Sequence, residues 1–224
     1  MRFEGVLALL AVTAACGCGC GRGSKGGPAG PEARCEALVA GVGPVAIETV
    51  YLPRVVNCEN GAAAPAALQA QAVAARSYLY YELGRVGQID DGTSDQVFGC
   101  GREPGPEHVA AVAATAGEIL QHGDTIVAAF YVAGALQAPP ACTGGADDPT
   151  ATEPYVTYNH GRAGAEVLQS PLGRLDPATT ANRGCLSQNG SDCLAHAGRD
   201  YRDILRFYYG EDVTIARVSG SCSD

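Results

Sequence analysis

Several things are scarce in this chain, and each scarcity excludes something. There is no tryptophan, so one common platform for stacking on bases or sugars is missing, although ten tyrosines remain. Charged residues make up 17% of the 224, below the usual quarter or so. The net charge is -9 and no cluster of lysine and arginine occurs. Such a surface repels a polyanion, so nucleic acid is not an expected partner. Beyond the N-terminus no run is long and apolar enough for a bilayer, which takes about 20 apolar residues. No paired Cys-x-x-Cys motif appears either, and the trio Cys16, Cys18 and Cys20 lies in a glycine-rich stretch with nothing to fix metal ligands.

What is present points to an exported protein. Ten cysteines in a chain of this size, without zinc spacing, imply an oxidising compartment. Arg2 is followed by the short apolar run Gly5-Val6-Leu7-Ala8-Leu9-Leu10-Ala11-Val12 and the small residues Thr13-Ala14-Ala15-Cys16. This reads as a secretory signal ending in a lipobox-like site. The expected organisation is a signal peptide at 1–15, a lipidated flexible tether at 16–34 beginning with Cys16, and one globular domain at 35–224. The expected place is the cell envelope or periplasm, held to a membrane by the lipid. Hydrophobic residues at 46% allow a sizeable core.

Periodicity gives a coarse fold. Residues 45–56 are apolar and ambiguous in type. Leu68, Ala72, Ala75, Leu79 and Leu83 fall on one face of a helix over 65–84, with Pro65 in its first turn and Gly84 as its stop. A second helix is expected over 106–116. Residues 118–121 and 125–132 read as a hairpin around His122-Gly123-Asp124. A long loop follows over 134–153, of the kind that tends to be functional or mobile. Asp200 caps a short helix ending before Gly210, and 213–218 form a closing strand. Helices and strands mix without βαβ alternation, so the expected class is α+β.

Glu59 is the carboxylate of most interest. It follows the apolar Tyr51-Leu52-Pro53-Arg54-Val55-Val56 and precedes Asn60-Gly61. Apolar flanks desolvate a carboxyl, raise its pKa and suit it to general-acid work. The plain alternative is an exposed turn residue.

Longer strings resemble a known family. Tyr51-Leu52-Pro53-Arg54-Val55-Val56-Asn57-Cys58-Glu59, then Ala67-Leu68-Gln69-Ala70-Gln71-Ala72-Val73-Ala74-Ala75-Arg76-Ser77-Tyr78, is similar to the signature of the stage II sporulation protein D and amidase-enhancer family. Asp95-Gln96-Val97-Phe98-Gly99, Ala111 to Leu120, and Leu186-Ser187-Gln188-Asn189-Gly190 with Tyr201 to Gly210 resemble its further segments, in the same order. The resemblance implies a single mixed domain of that type, acting as a lytic transglycosylase on peptidoglycan glycan strands. Glu59 falls at the family's catalytic glutamate, and no cofactor is implied. Gln71, Arg76, Tyr78, Ser187, Gln188 and Tyr209 are the expected substrate-binding residues.

The departures also count. Val132-Ala133-Gly134-Ala135 stands where the family often has His-Ser-Thr-Ser-Gly-Gly, and Asn182-Arg183-Gly184-Cys185 stands where Gly-His-Gly is usual. A second reading is therefore kept: a non-catalytic peptidoglycan-binding lipoprotein, or an activator of a cell-wall amidase. His108, His122, His160 and His196 are scattered, read as surface residues, and no metal is expected. Cys185 and Cys193 flank the Leu-Ser-Gln-Asn-Gly segment and are candidates for a staple. The full connectivity is open, and Cys58 is expected in a structural bridge rather than as a reactive thiol.

Overall fold

The computed structural model describes residues 30–178, 180–220 and 222. The signal sequence, Cys16, Cys18, Cys20 and most of the tether lie outside them. Among the described residues no helix is long and apolar enough to cross a membrane.

The chain opens with a hairpin of β1 (Glu36–Val39) and β2 (Gly43–Ala46), paired antiparallel with Val39 opposite Gly43. Gly41 and Gly43 take positive φ at its turn, a backbone that side chains other than glycine rarely adopt. A π-helical turn, Ile47–Tyr51, then runs into α1 (Leu52–Asn60). The ambiguous apolar stretch is therefore mostly helix. Pro53 sits in the first turn, where its missing N–H costs nothing.

The centre of the fold is α2 (Pro65–Arg85). The expected face is buried, but so are Ala67, Ala70, Val73, Ala74 and Tyr80. The helix is enclosed all round, packing against α1, α3 (Pro106–Ala114), β3 (Glu118–His122), α4 (Gln188–His196) and α5 (Tyr201–Tyr209). Its many alanines let neighbours approach closely from each side. Two apolar clusters result, one with Tyr51, Leu52, Val55 and Leu79, the other with Val73, Leu120, Ile204 and Tyr208. Each fully buried aliphatic side chain contributes about 1.5–3 kcal/mol.

The expected hairpin forms only in part. β3 pairs with β4 (Thr125–Ile126), and β7 (Thr214–Arg217) takes the other edge of β3. The chain then leaves the sheet, because Val127, Ala128 and Ala129 are buried and the Ala128 N–H donates to the Ala181 carbonyl. β5 (Phe130–Val132) instead pairs in parallel with β6 (Cys185–Ser187). Helices and small sheets form one α+β domain.

Three disulfides staple it: Cys35–Cys222, Cys58–Cys100 and Cys142–Cys193. The Cys185–Cys193 staple is not formed; Cys193 bonds Cys142, and Cys185 is a buried free thiol. The reason is geometric. Cys185 begins strand β6, Cys193 lies in the second turn of the helix that follows, and bridged Cα atoms stand only about 4.4–6.8 Å apart. Cys142 meets that condition, with its Cα 5.7 Å from that of Cys193.

Candidate active site

Glu59 lies in the last turn of α1, half-buried and held from two sides. The Val97 N–H donates to its Oε1 at 2.7 Å, and the Gln188 side-chain amide donates to its Oε2 at 3.2 Å. Burial pushes the Glu59 pKa up; the two hydrogen bonds pull it down, and burial wins. The C-terminal end of a helix dipole is also an unfavourable place for a negative charge.

The Val97 side of this cradle is built from residues 90–103. Asp91 Oδ1 accepts from the N–H groups of Phe98 and Gly99. Asp95 accepts from the Tyr78 hydroxyl at 2.9 Å and from the Asp90 N–H. Gln96 is fully buried; its amide donates to the Ala75 carbonyl and its oxygen accepts from the Tyr51 hydroxyl. Phe98 stacks on Tyr51 at 5.4 Å between ring centroids. The Cys58–Cys100 bridge then ties this loop to the residue beside Glu59. Cys58 is structural, as expected.

The Gln188 side comes from the far end of the sequence. Ser187 caps α4: its hydroxyl accepts from the Gly190 N–H and donates to the Ala133 carbonyl. Gln188 is the first residue of that helix, so the cap fixes its direction. Gly134 packs against the cap so closely that a Cβ there would stand 2.2 Å from Ser187 Oγ. Asp192 accepts from the Ala64 N–H, and the Asn60 amide donates to Ser191, which docks α4 onto the α1–α2 connection. His108 is buried rather than on the surface. Its Nδ1 accepts from the Gly105 N–H, so its Nε2–H donates to the Gly61 carbonyl at 2.9 Å and pins the turn after Glu59.

The expected site residues separate into two groups. Glu59 and Gln188 touch. Tyr78 lines a cavity of about 150 Å³ with Thr93, Asp95, Tyr131 and Leu172. The charge of Glu59 is felt at the buried hydroxyls of Tyr131 and Tyr51, whose pKa values burial already raises. Ser187 is spent on its cap. Arg76 and Tyr209 are completely buried. Arg76 makes a two-pronged ion pair with Glu48, both contacts 2.7 Å, and donates to the Glu118 carbonyl. The Tyr209 hydroxyl donates to the Phe130 carbonyl at 2.7 Å. Gln71 is also fully buried, and neither its amide nitrogen nor its oxygen has a partner. The residues the sequence reading passed over are Val97, which acts through its backbone, and Gln96, Tyr51 and Tyr131, which look like ordinary core. Gln96 and Val97 stood in the Asp95-Gln96-Val97 string and Tyr51 opened the motif that ends in Glu59, while nothing marked Tyr131. Among the described residues no group of three or more His, Cys, Asp or Glu is placed to hold a metal ion.

Fold and site together define an α+β domain, stapled by disulfides, in which burial raises the pKa of the Glu59 carboxyl. Residues 39–122 match the family described as SpoIID, Stage II sporulation protein. The match supports the family assignment drawn from the motifs, and that family is a cell-wall-related one. The match takes in Glu59, Tyr78 and Val97 and stops short of Gln188. No curated protein matches the chain.

Proposed function

We propose that the protein is a peptidoglycan lytic transglycosylase with Glu59 as its single acid/base. The observation that carries this reading is the desolvated Glu59 carboxyl, whose raised pKa favours the protonated form that a general acid needs. Protonated Glu59 gives its proton to the glycosidic oxygen between N-acetylmuramic acid and N-acetylglucosamine. The bond from the anomeric carbon to that oxygen breaks, and N-acetylglucosamine leaves with the proton. The 6-hydroxyl of the muramic acid then attacks the anomeric carbon. Its proton passes to the Glu59 carboxylate, which restores the acid and leaves a 1,6-anhydro end. An internal nucleophile removes the need for the paired carboxylates of glycoside hydrolysis. The neighbouring carboxylates fit this account. Asp95 is committed to Tyr78 and Asp90, and Asp91 to backbone N–H groups, so both serve the loop.

The sequence features at 1–16 add export and attachment of the protein to a membrane through lipid on Cys16, which would keep the domain beside its polymer. Digestion of peptide-free glycan strands and intact peptidoglycan by wild type and Glu59→Gln, read by mass spectrometry, tests the proposal. Anhydro ends from wild type alone are expected. Reducing ends in their place would mean hydrolysis.

One observation favours the second reading, a non-catalytic peptidoglycan-binding protein or amidase activator: both Glu59 oxygens already have protein partners, as in a purely structural carboxylate. That reading requires peptidoglycan binding, or stimulation of an amidase, that Glu59→Gln leaves intact, with no cleavage by the wild type.

A further inference from the structure

The cavity that Tyr78 lines borders Glu59 through the neighbours of both Glu59 partners. Asp95, in its lining, is two residues from Val97, so their Cα atoms are no more than about 7 Å apart. Val132, also in its lining, pairs with Ser187, the residue before Gln188. Size limits what can enter. The cavity measures about 150 Å³, and a cavity of about that volume holds a benzene-sized guest. That is too little for a pyranose ring with its substituents, but enough for one side group of a sugar.

The walls select among side groups. Phe130, Val132 and Leu172 supply apolar surface, and Phe130 packs against Tyr78 with ring centroids 5.8 Å apart. Leu172 is 43% exposed, yet its backbone is held in place. Its N–H donates to the Ser170 hydroxyl, and the Ser170 backbone bonds the Asn182 side chain in both directions. A Cβ on Gly173 would stand 2.7 Å from the Phe130 ring, so the turn lies tight against that ring. Asp95 accepts from the Tyr78 hydroxyl and from the Asp90 N–H, as a carboxylate does. Among the described residues no Lys, Arg or His lines the cavity. An anionic group, such as the free lactyl arm of a peptide-free strand, is therefore repelled. A hydroxymethyl group is polar at its tip and gains nothing from the apolar walls. Thr93 and Ser94 also line the cavity and are exposed, so the polar root of an entering group keeps water or a hydroxyl beside it. A small neutral group with an apolar tip and a polar root meets all of these conditions, and on an amino sugar that group is the acetamido.

We propose that this cavity takes the acetamido group of the amino sugar lying against Glu59, with Leu172 as the residue that sets the size of acyl group admitted. That the sugar belongs to a peptidoglycan strand rests on the proposed function above. The test titrates the full chain with tetra-N-acetylchitotetraose and with the same tetramer carrying cyclohexanecarbonyl in place of acetyl. Wild type and Leu172→Ala are compared by calorimetry, which reads binding without cleavage. Leu172 is partly exposed on a loop, so its truncation spares the core and makes room for the larger acyl group. Wild type is expected to bind the acetyl probe at least tenfold more tightly than the bulky one, and Leu172→Ala to narrow that ratio threefold or more. Equal binding of the two probes by wild type, a ratio unchanged in Leu172→Ala, or no binding of the acetyl probe would overturn the proposal. Anhydro ends from glycan strands are scored separately. Acyl selectivity without anhydro ends sinks the transglycosylase reading alone, and anhydro ends without acyl selectivity sink this proposal alone.

Discussion

The two halves of this domain are held together by different means. Up to β3 the chain is helical, and apolar packing around α2 does most of the work, with Arg76 as a buried exception. Beyond β5, residues 133–184 are largely loop, pinned by polar groups and by the Cys142–Cys193 bridge, before α4 and α5 join the second apolar cluster. Buried Asn159 donates to the carbonyls of Leu168, Arg183 and Tyr208 and accepts from the Leu168 N–H. The Tyr158 hydroxyl donates to Glu153 at 2.5 Å and accepts from the Gly144 N–H. Glu153 in turn accepts from the Ala135 N–H. The candidate site lies where the halves meet, since Glu59 takes one partner from each. The packed half supplies the carboxyl and its Val97 partner, and the pinned half supplies Gln188.

The sharpest way to break that division is at Glu59 itself. Glu59→Gln is expected to lower turnover by about 10²–10⁴-fold, the usual weight of a general acid or base, with the circular dichroism unchanged. Its effect on stability has the opposite sign. Burial raises the Glu59 pKa, so the folded state favours the protonated carboxyl, and the cost of ionising it appears as pH rises through the folded value. The variant should be at least as stable as wild type at neutral pH. That advantage should vanish below about pH 4, where the carboxyl is protonated in both states.

Arg76→Leu tests the packed half. Glu48 is a third exposed and can turn to water, but the buried Glu118 carbonyl loses its donor, which should cost about 1–3 kcal/mol in urea unfolding. A rise in KM with unchanged stability would instead return Arg76 to the glycan-binding role that the sequence implied. Cys142→Ser with Cys193→Ser tests the pinned half. Loss of that closure should cost about 2–4 kcal/mol and open residues 137–153 to proteolysis, with Glu59 chemistry retained. Gln188→Ala joins the two halves. It removes a donor that favours the ionised carboxylate, so the alkaline limb of the kcat/KM profile should move to higher pH. The accompanying loss in rate should be no more than about tenfold, the weight of one hydrogen bond. An alkaline limb unmoved by Gln188→Ala would break the link between the halves.

The packed half was legible because its information is local. The spacing of Leu68, Ala72, Ala75, Leu79 and Leu83, with Pro65 and Gly84, gives α2 almost to the residue. The Asp200 cap gives the start of α5, with its side chain accepting from Arg202 and Asp203 N–H groups. Glu59 stood out from its flanks and the surrounding motif. The rest depends on distant partners. Nothing local says that the chain leaves β4 so that Phe130 can pair with Cys185, or that Cys193 reaches Cys142 rather than Cys185. Arg76 and Tyr209 carry groups that suit sugar recognition, yet burial commits them to Glu48 and to the Phe130 carbonyl. The helix α4 went unread because Gln-Asn-Gly-Ser reads as a loop. It forms because Ser187 caps it and because its buried residues, Cys193 and Leu194, pack in the same apolar cluster as α5.

The most direct test of the central claim is digestion of glycan strands in water enriched in the heavy oxygen isotope. Closure by the sugar's own 6-hydroxyl takes no oxygen from solvent. The account therefore predicts unlabelled anhydro ends from wild type and none from Glu59→Gln. Heavy oxygen at the new anomeric end would contradict it, because water, activated by a second group, would then be the nucleophile.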